Sequence, residues 1–185
     1  MDALDLLLGR VSVARLTEPG PRPEQLDLMF RAGLRAPDHA QLRPWRFLLV
    51  EGDARARLGE VLAEAVLRQS GDAKPEALDK ARRMPLRAPT LVVAIARITA
   101  HPKVPESEQL LAAGCAVHGL LLAAHAQGVG AIWRTGELSH DPQVAGALGL
   151  QAHERLLGFI YLGTPEGGLR TPPVLEPADF VARWG

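Results

Sequence analysis

Two polar clusters carry residue types that could bind an anionic ligand. The first is residues 10–15, where Arg10 and Arg15 flank Ser12. Guanidinium and hydroxyl donors suit a phosphate group, which accepts several charge-assisted hydrogen bonds. A solvated basic turn explains the same residues without a ligand, and for this cluster alone it is the simpler interpretation.

The second cluster is the loop of residues 35–45, which contains two prolines and ends in a tryptophan. A polar loop that prolines make rigid often carries function, because a scaffold fixes its side chains. An ordinary connection between a helix and a strand is the alternative. The polar side chains of this loop are Arg35, Asp38, His39, Gln41 and Arg43.

Other residues of chemical interest give weaker signals. The single cysteine, Cys115, lies among apolar residues, which predicts a structural core residue rather than a nucleophile. His118 and His125 lie two helical turns apart, too far to share a metal ion without further ligands, so we interpret them as interface or core histidines. The sequence has no P-loop, HExxH or GxSxG motif, and we predict no metal site.

The composition is that of an ordinary globular protein. The chain has 185 residues, of which 47% are hydrophobic, and its 21 Lys and Arg balance its 21 Asp and Glu. This neutrality argues against a protein that coats nucleic acid, although a local positive pocket remains possible. One cysteine excludes an intramolecular disulfide, and the acidic start argues against a signal peptide. We expect a soluble cytoplasmic protein of one domain, residues 1–185, without a membrane partner.

Hydrophobic periodicity predicts alternating helices and strands. The alternation alone would favour a parallel α/β sheet. Helices are predicted to begin near Asp2, Pro23, Asp53, Pro75, Ser107 and Pro142, and strands to cover residues 45–50, 90–96, 131–134 and 155–162.

The longest predicted helix, residues 107–127, is apolar on nearly every face. Such a helix must be buried all round, and one domain of this size has little room to enclose a helix about 30 Å long. We therefore predict an obligate dimer in which a second subunit covers it. Residues from about 164 to 185 are predicted to be either a frayed terminus or an extended arm that anchors on the partner through Phe180 and Trp184.

Four segments together resemble the flavin-dependent nitroreductase family. Residues 10–15, RVSVAR, are similar to the family's R-R-S-x-R, and residues 35–47, RAPDHAQLRPWRF, to its R-A-P-S-x-x-N-x-Q-P-W-x-F. Residues 128–136, GVGAIWRTG, are a third match, and residues 158–165, GFIYLGTP, are similar to its closing strand, G-x-x-x-L-G-x-P. The compact length, the sequence PDH at residues 37–39 and the sequence WRTG at residues 133–136 resemble the small YdjA-type subgroup of NAD(P)H nitroreductases.

The resemblance implies an α+β fold with a mostly antiparallel sheet surrounded by helices, in a homodimer with FMN at its interface. It implies a ping-pong cycle, in which NADH or NADPH gives hydride to FMN and a nitroaromatic, quinone or similar small molecule then accepts the electrons. The flavin carries this chemistry, so no catalytic side chain is required, and His39 is the one candidate.

The resemblance also implies which residues contact the ligands. Arg10 is expected to stabilise the reduced flavin. The nicotinamide donor is expected at the end of the long helix, at Ala123, Ala124, His125, Ala126, Gln127 and Gly128. The residues expected to bind FMN are Arg10, Val11 and Ser12 in one subunit, Arg35 and His39 of the other subunit with Gln41 in the same loop, and Trp133, Arg134 and Thr135.

The chain departs from the family pattern at several of these positions. Val11 and Ala14 replace arginines, Asp38 replaces a serine and Arg43 replaces a glutamine. Fewer cations weaken the expected phosphate site, and Trp133 could narrow access to the flavin. Two alternatives stay open: a flavoprotein of the same fold with other redox chemistry (dehalogenation, dehydrogenation or flavin breakdown), and a non-catalytic dimeric binding protein that has lost flavin.

Overall fold

Five strands form one antiparallel sheet in the computed structural model, which describes residues 2–185. The third strand pairs with the second and the fifth, and the fifth also pairs with the fourth and the short first strand. The antiparallel sheet implied by the family resemblance is confirmed. The parallel sheet favoured by alternation is wrong, because the order of elements does not fix strand direction. The strands are β1 (Leu16–Thr17), β2 (Trp45–Glu51), β3 (Thr90–Arg97), β4 (Gly130–Arg134) and β5 (Glu154–Pro165).

Six α-helices surround this sheet within the described residues. Four of them begin at a capping aspartate or at a proline in the first turn. The Asp2 carboxylate accepts a hydrogen bond from the Leu4 amide at 2.9 Å, and Asp141 caps the sixth helix in the same way. The helices are α1 (Ala3–Gly9), α2 (Pro23–Gly33), α3 (Asp53–Ser70), α4 (Pro75–Arg83), α5 (Glu106–Ala126) and α6 (Pro142–Ala147).

The sheet lies between two helical layers. Residues of β3 alternate between them: Val92 and Ala94 pack towards α2 and α5, whereas Val93 and Ile95 pack towards α3, α4 and α6. All the residues of β3 except the last are buried. The predicted strand buried on both faces is therefore confirmed, and it explains why this strand reads as a continuous apolar run.

Helices α2 and α5 cross at close range through glycines. A Cβ on Gly33 would lie 2.9 Å from the Ala116 carbonyl oxygen, and one on Gly119 would lie 3.0 Å from that of Ala32. Only glycine permits this approach without a shift of one backbone. The crossing fixes α5 against α2, and it therefore positions the polar loop that follows α2.

One face of α5 is buried and the other is not. Ala116, Val117 and Leu120 are fully buried, but Leu111 is 70% exposed and Cys115 is also exposed. The prediction of a core cysteine is therefore wrong for the single chain, because Cys115 lies on the face of α5 that points away from the sheet. His118 is exposed beside it, which rules out the core interpretation for this histidine.

Helix α5 is also long and apolar enough to cross a membrane by length and composition. Its inner face instead contacts β3 and β4, as expected for a core helix that lacks a cover on its outer face.

The chain after β5 is extended and contacts little of the fold. Strand β5 continues to Pro165, so its last two residues fall within the segment predicted to be extended from about residue 164. The described chain beyond it contains one regular element, the single turn Pro177–Asp179. Phe180 is 72% exposed and Trp184 is fully exposed. Two bulky apolar side chains thus have no cover within the described chain.

Candidate functional site

A β-bulge positions the tryptophan segment, which we define as Trp133, Arg134 and Thr135. The register between β3 and β5 shifts so that Leu157 has no partner in β3. The indole Nε1 of Trp133 donates a hydrogen bond to the carbonyl oxygen of Leu157 at 3.0 Å. Bulges re-aim side chains in this way next to functional sites.

Gly158 makes this bulge possible. Its φ is +128°, and a Cβ there would lie 2.5 Å from the Arg134 carbonyl oxygen and 2.8 Å from the indole nitrogen of Trp133. A glycine such as Gly158 within an apolar strand pattern often marks a β-bulge, so the sequence does contain one local indication of this feature.

The arginine segment, Arg10, Val11 and Ser12, lies beside the same strand. The amide of Val13 donates to the carbonyl oxygen of Ala131 at 2.9 Å, two residues before Trp133. Val11 is buried, while Arg10 and Ser12 are half-buried. Among residues 2–185, Arg10 forms no ion pair and the Ser12 hydroxyl has no hydrogen-bond partner, so both donors are free for a ligand.

The polar loop after α2 is held in a strained conformation. Ala40, Gln41 and Arg43 have φ values of 63°, 54° and 49°. Non-glycine residues in this region cost on the order of 1 kcal/mol or more each and concentrate at ligand sites. The Asp38 carboxylate stabilises the loop by accepting hydrogen bonds from the Leu42 amide at 3.1 Å and the Arg43 amide at 2.7 Å. Aspartate in place of the family's serine thus has a structural role here.

The loop and the arginine segment lie at opposite ends of α5. His39 Nδ1 is 2.8 Å from the Glu108 carboxylate in the first turn of α5. A Cβ on Gly9 would lie 3.8 Å from His125 Nε2, in the last turn. The 17 positions between these turns correspond to about 25 Å at 1.5 Å per residue. This separation exceeds the length of one FMN molecule. A single chain therefore does not bring the loop after α2 onto the same flavin as the arginine segment and the tryptophan segment.

A cavity of about 920 Å³, here called the β4 cavity, opens beside the tryptophan segment. This volume suits a small-molecule ligand. Its wall is formed by β4, β5, α3 and α4 together with the turn Glu137–His140. Its apolar lining is Leu62, Val66, Met84, Ile132 and Phe159.

Charged and polar groups also line the β4 cavity: Lys80, Arg87, Arg134, Glu137 and Tyr161. The Arg134 guanidinium carbon is 5.9 Å from the centre of the Tyr161 ring. Burial raises the pKa of Tyr161, although the positive charges of Arg87 and Arg134 oppose this effect. The hydroxyl is therefore neutral at physiological pH and can donate a hydrogen bond.

The predicted nicotinamide site at the end of α5 is partly occupied by the protein's own contacts. Ala124 is fully buried, and Gln127 Nε2 donates to the carbonyl oxygens of Gln25 and Ala123 at 3.2 and 3.0 Å. The neighbouring cavity, lined by Arg10 and His125 among others, measures about 20 Å³ and holds a water molecule at most. The nicotinamide site stays a prediction.

Several residues of the site were not singled out from the sequence. Leu157 and Tyr161 lie within a strand, where their residue types are ordinary and do not indicate a functional site. Glu108 resembles the acidic residues that are common in the first turn of a helix. Over residues 2–185 no group of three or more His, Cys, Asp or Glu could hold a metal ion.

The chain is similar to known proteins over nearly its whole length. The Nitroreductase family model matches residues 7–164. The Escherichia coli K12 protein named "Putative NAD(P)H nitroreductase YdjA" is 45% identical over 182 residues, 98% of each chain.

Solved structures share the fold. The nitroreductase-like family protein from Bacillus cereus superposes with a TM-score of 0.83 at 18% identity, covering 100% of this chain and 96% of that chain. The nitroreductase with bound FMN from Bacteroides fragilis gives 0.75 at 21% identity and covers 100% of both chains. The antiparallel sheet, the family match and the identity to YdjA lead to one conclusion: the chain belongs to the nitroreductase family, in its YdjA-type subgroup.

Proposed function

We propose that this chain is an FMN-dependent NAD(P)H oxidoreductase that reduces a small organic acceptor such as a nitroaromatic or a quinone. The observation that carries the proposal is the free donor pair of Arg10 and Ser12, which adjoins β4 and its tryptophan segment. The E. coli relative's name and the FMN bound by the B. fragilis protein support it.

The donor set of the arginine segment fits FMN. A guanidinium without an ion-pair partner and a half-buried hydroxyl match a phosphate and a polyhydroxylated chain. Arg10 would hold an anionic group and Ser12 would accept or donate one hydrogen bond, while buried Val11 offers backbone groups. Trp133 would present an apolar surface to a planar ring, since its indole is fixed by Leu157.

A second copy of the chain would complete the site. His39 lies about 25 Å along α5 from the arginine segment, so in a dimer it would serve the partner's flavin, as would Arg35 at the start of the same loop. The exposed face of α5 would form the dimer interface. Leu111 and Cys115 are exposed to water on this face, and a second chain packed against it would bury them. The extended segment after Pro165 would lie over that partner as an arm. The resulting enzyme is a cytoplasmic homodimer.

Bound FMN supplies two-electron transfer from the nicotinamide donor to the acceptor, in successive half-reactions. The protein contributes binding, orientation and positive charge near the ring. No side chain is needed as a base. His39 Nδ1 is already engaged by Glu108, which leaves Nε2 free to form a hydrogen bond with the partner's ligand.

Anaerobic titration of the purified protein with NADH and with NADPH tests this proposal. We expect the visible flavin absorption to bleach with one of the two donors and to return when nitrobenzene or benzoquinone is added. A yellow protein that neither donor bleaches would instead indicate a flavoprotein with different redox chemistry. A colourless protein that takes up no FMN would favour the non-catalytic binding protein.

A further inference from the structure

We propose that the β4 cavity selects an aromatic acceptor that carries a negative charge, such as a carboxylate-substituted nitroaromatic. The proposal rests on the proposed function, because it names the acceptor class for the same site. Its basis is the charge of the cavity wall: the cationic side chains of Lys80, Arg87 and Arg134 face a single acid, Glu137. This excess stands out in a chain whose formal net charge is zero.

None of these three cations is neutralised inside the described fold. Lys80, Arg87 and Arg134 form no ion pair with any residue from 2 to 185, whereas Arg68 and Arg82 of the neighbouring helices α3 and α4 are each paired with acids. Arg82, for example, binds both Glu60 and Asp79. A cleft with unpaired charges of one sign and a low-dielectric wall concentrates ligands of the opposite charge.

The adjoining depression shares Lys80 and Arg87 and is also lined by Arg83 and by the acids Glu76 and Asp79. Asp79 is held by Arg82 at 3.1 Å, so its charge is already compensated. Glu76 faces the depression rather than the β4 cavity. With Asp79 compensated, the positive excess is continuous from the β4 cavity into this depression, and Lys80 and Arg87 line both.

The arrangement of the wall indicates how such a ligand would lie. Leu62, Val66 and Phe159 form an apolar floor that suits an aromatic ring. Lys80 and Arg87 are exposed and so lie at the rim, whereas Tyr161 is buried. A carboxylate on the ring would meet the rim cations, and the Tyr161 hydroxyl would donate to a polar group deeper in the cavity. The reducible group would then point towards the tryptophan segment.

The test compares two acceptors of the same shape and different charge, 4-nitrobenzoate and 4-nitrobenzamide. For the FMN-loaded protein we expect kcat/KM to favour the benzoate, and Arg87→Gln to lower the ratio of benzoate to benzamide about threefold, the effect of losing one exposed charge pair. Lys80→Gln is expected to act in the same direction. Arg57→Gln, which removes an exposed cation of α3 outside the cavity, is the matched control and should leave the ratio unchanged.

Binding of the two compounds, measured by calorimetry without turnover, separates this proposal from the proposed function. If the protein binds the benzoate more tightly through Arg87 but reduces neither compound, the oxidoreductase assignment fails and the anion selectivity stands. Equal binding and equal kcat/KM for the two compounds, or a ratio that Arg87→Gln does not change, would overturn the selectivity. An Arg87→Gln variant that loses only its discrimination between NADPH and NADH would also overturn the proposed selectivity. The cavity would then recognise the extra phosphate of NADPH rather than the acceptor.

Discussion

At the residue scale, free donors and paired charges have different roles in this chain. Arg10 and Ser12 have no partner among the described residues and are available to a ligand, whereas Asp38 and Glu154 are committed to the fold. The sequence could identify Arg10, Ser12, His39 and Trp133 as candidates because their types match a family motif. It could not identify Glu154, since its partner Arg46 is 108 positions away.

Replacement of Arg10 by alanine should weaken FMN binding by at least about tenfold. One charge-assisted contact is worth about 1.5–3 kcal/mol, and every 1.4 kcal/mol corresponds to a factor of ten in Kd. Titration of apo-protein with FMN, followed by quenching of flavin fluorescence, measures the change. Arg57→Ala is the control, because Arg57 is exposed and distant from the arginine segment in sequence. An Arg10→Ala variant with unchanged FMN affinity would remove Arg10 from the site.

Glu154 should make the free energy of unfolding depend on pH. Its side chain is only 3% exposed, and the hydrogen bonds of Arg46, at 2.6 and 2.7 Å, lower its pKa from 4.5 to about 2. Because the folded pKa is lowered, the stabilisation of about 3 kcal/mol is complete above pH 4.5 and is lost as pH falls towards 2.

Urea unfolding at pH 7 and pH 3 measures this dependence. Glu154→Gln should be less stable than wild type at pH 7, and the gap should narrow at pH 3. Glu64→Gln, which changes a carboxylate 71% exposed, should alter stability little at either pH. An equal gap at the two pH values would show that the Arg46 pair is not the cause.

At the element scale, local signals predicted helices and strands better than they predicted how these elements meet. Asp2, Asp141 and Pro23 mark helix starts correctly, because capping is a local interaction. The exposure of Cys115 depends instead on which face of α5 meets the sheet. Because α5 is apolar on nearly every face, its sequence does not indicate which face that is. The bulge at Leu157 has one local signal, Gly158 within the strand pattern, but its position depends on the register of two strands distant in sequence.

Gly158→Ala should destabilise the fold and displace the tryptophan segment. The new Cβ would press against the Arg134 carbonyl oxygen at 2.5 Å, and the residue would keep a φ of +128°. Crowding and strain together should cost about 2–4 kcal/mol.

Gly167→Ala is the matched control for this variant. Gly167 also has a positive φ, +86°, but nothing lies within 4 Å of its Cβ position, so only about 1–2 kcal/mol of strain is expected. Thermal unfolding, with Trp fluorescence as a second signal, distinguishes the two variants. Equal losses of stability would show that crowding at the bulge is unimportant.

At the scale of the whole molecule, the single chain leaves apolar surface without a cover. Leu111 on α5, Leu8 on α1 and Phe180 in the last segment are each at least 70% exposed. Apolar exposure on this scale typically marks a protein interface. The apolar pattern of the long helix predicts from the sequence alone that one chain cannot bury all of this surface. Periodicity does not indicate which surface would cover each exposed face.

Leu111→Glu should convert a dimer into a monomer. Two chains of 19.9 kDa should sediment together in the wild type, and a buried carboxylate on α5 should separate them because an unpaired charge at an interface is costly. Leu67→Glu, on the opposite helical layer and 45% exposed, should leave the dimer intact. Sedimentation velocity over a range of concentrations gives the result, and a dimeric Leu111→Glu variant would place the interface elsewhere.

The most direct measurement of the central claim is the visible absorption spectrum of the purified protein before and after heat release of any cofactor. The two-subunit site predicts a yellow dimer that releases about one FMN per chain, and apo-protein that regains the flavin spectrum when FMN is added. A colourless protein that takes up no FMN would contradict the flavin site at Arg10, Ser12 and the tryptophan segment, although the nitroreductase fold would stand.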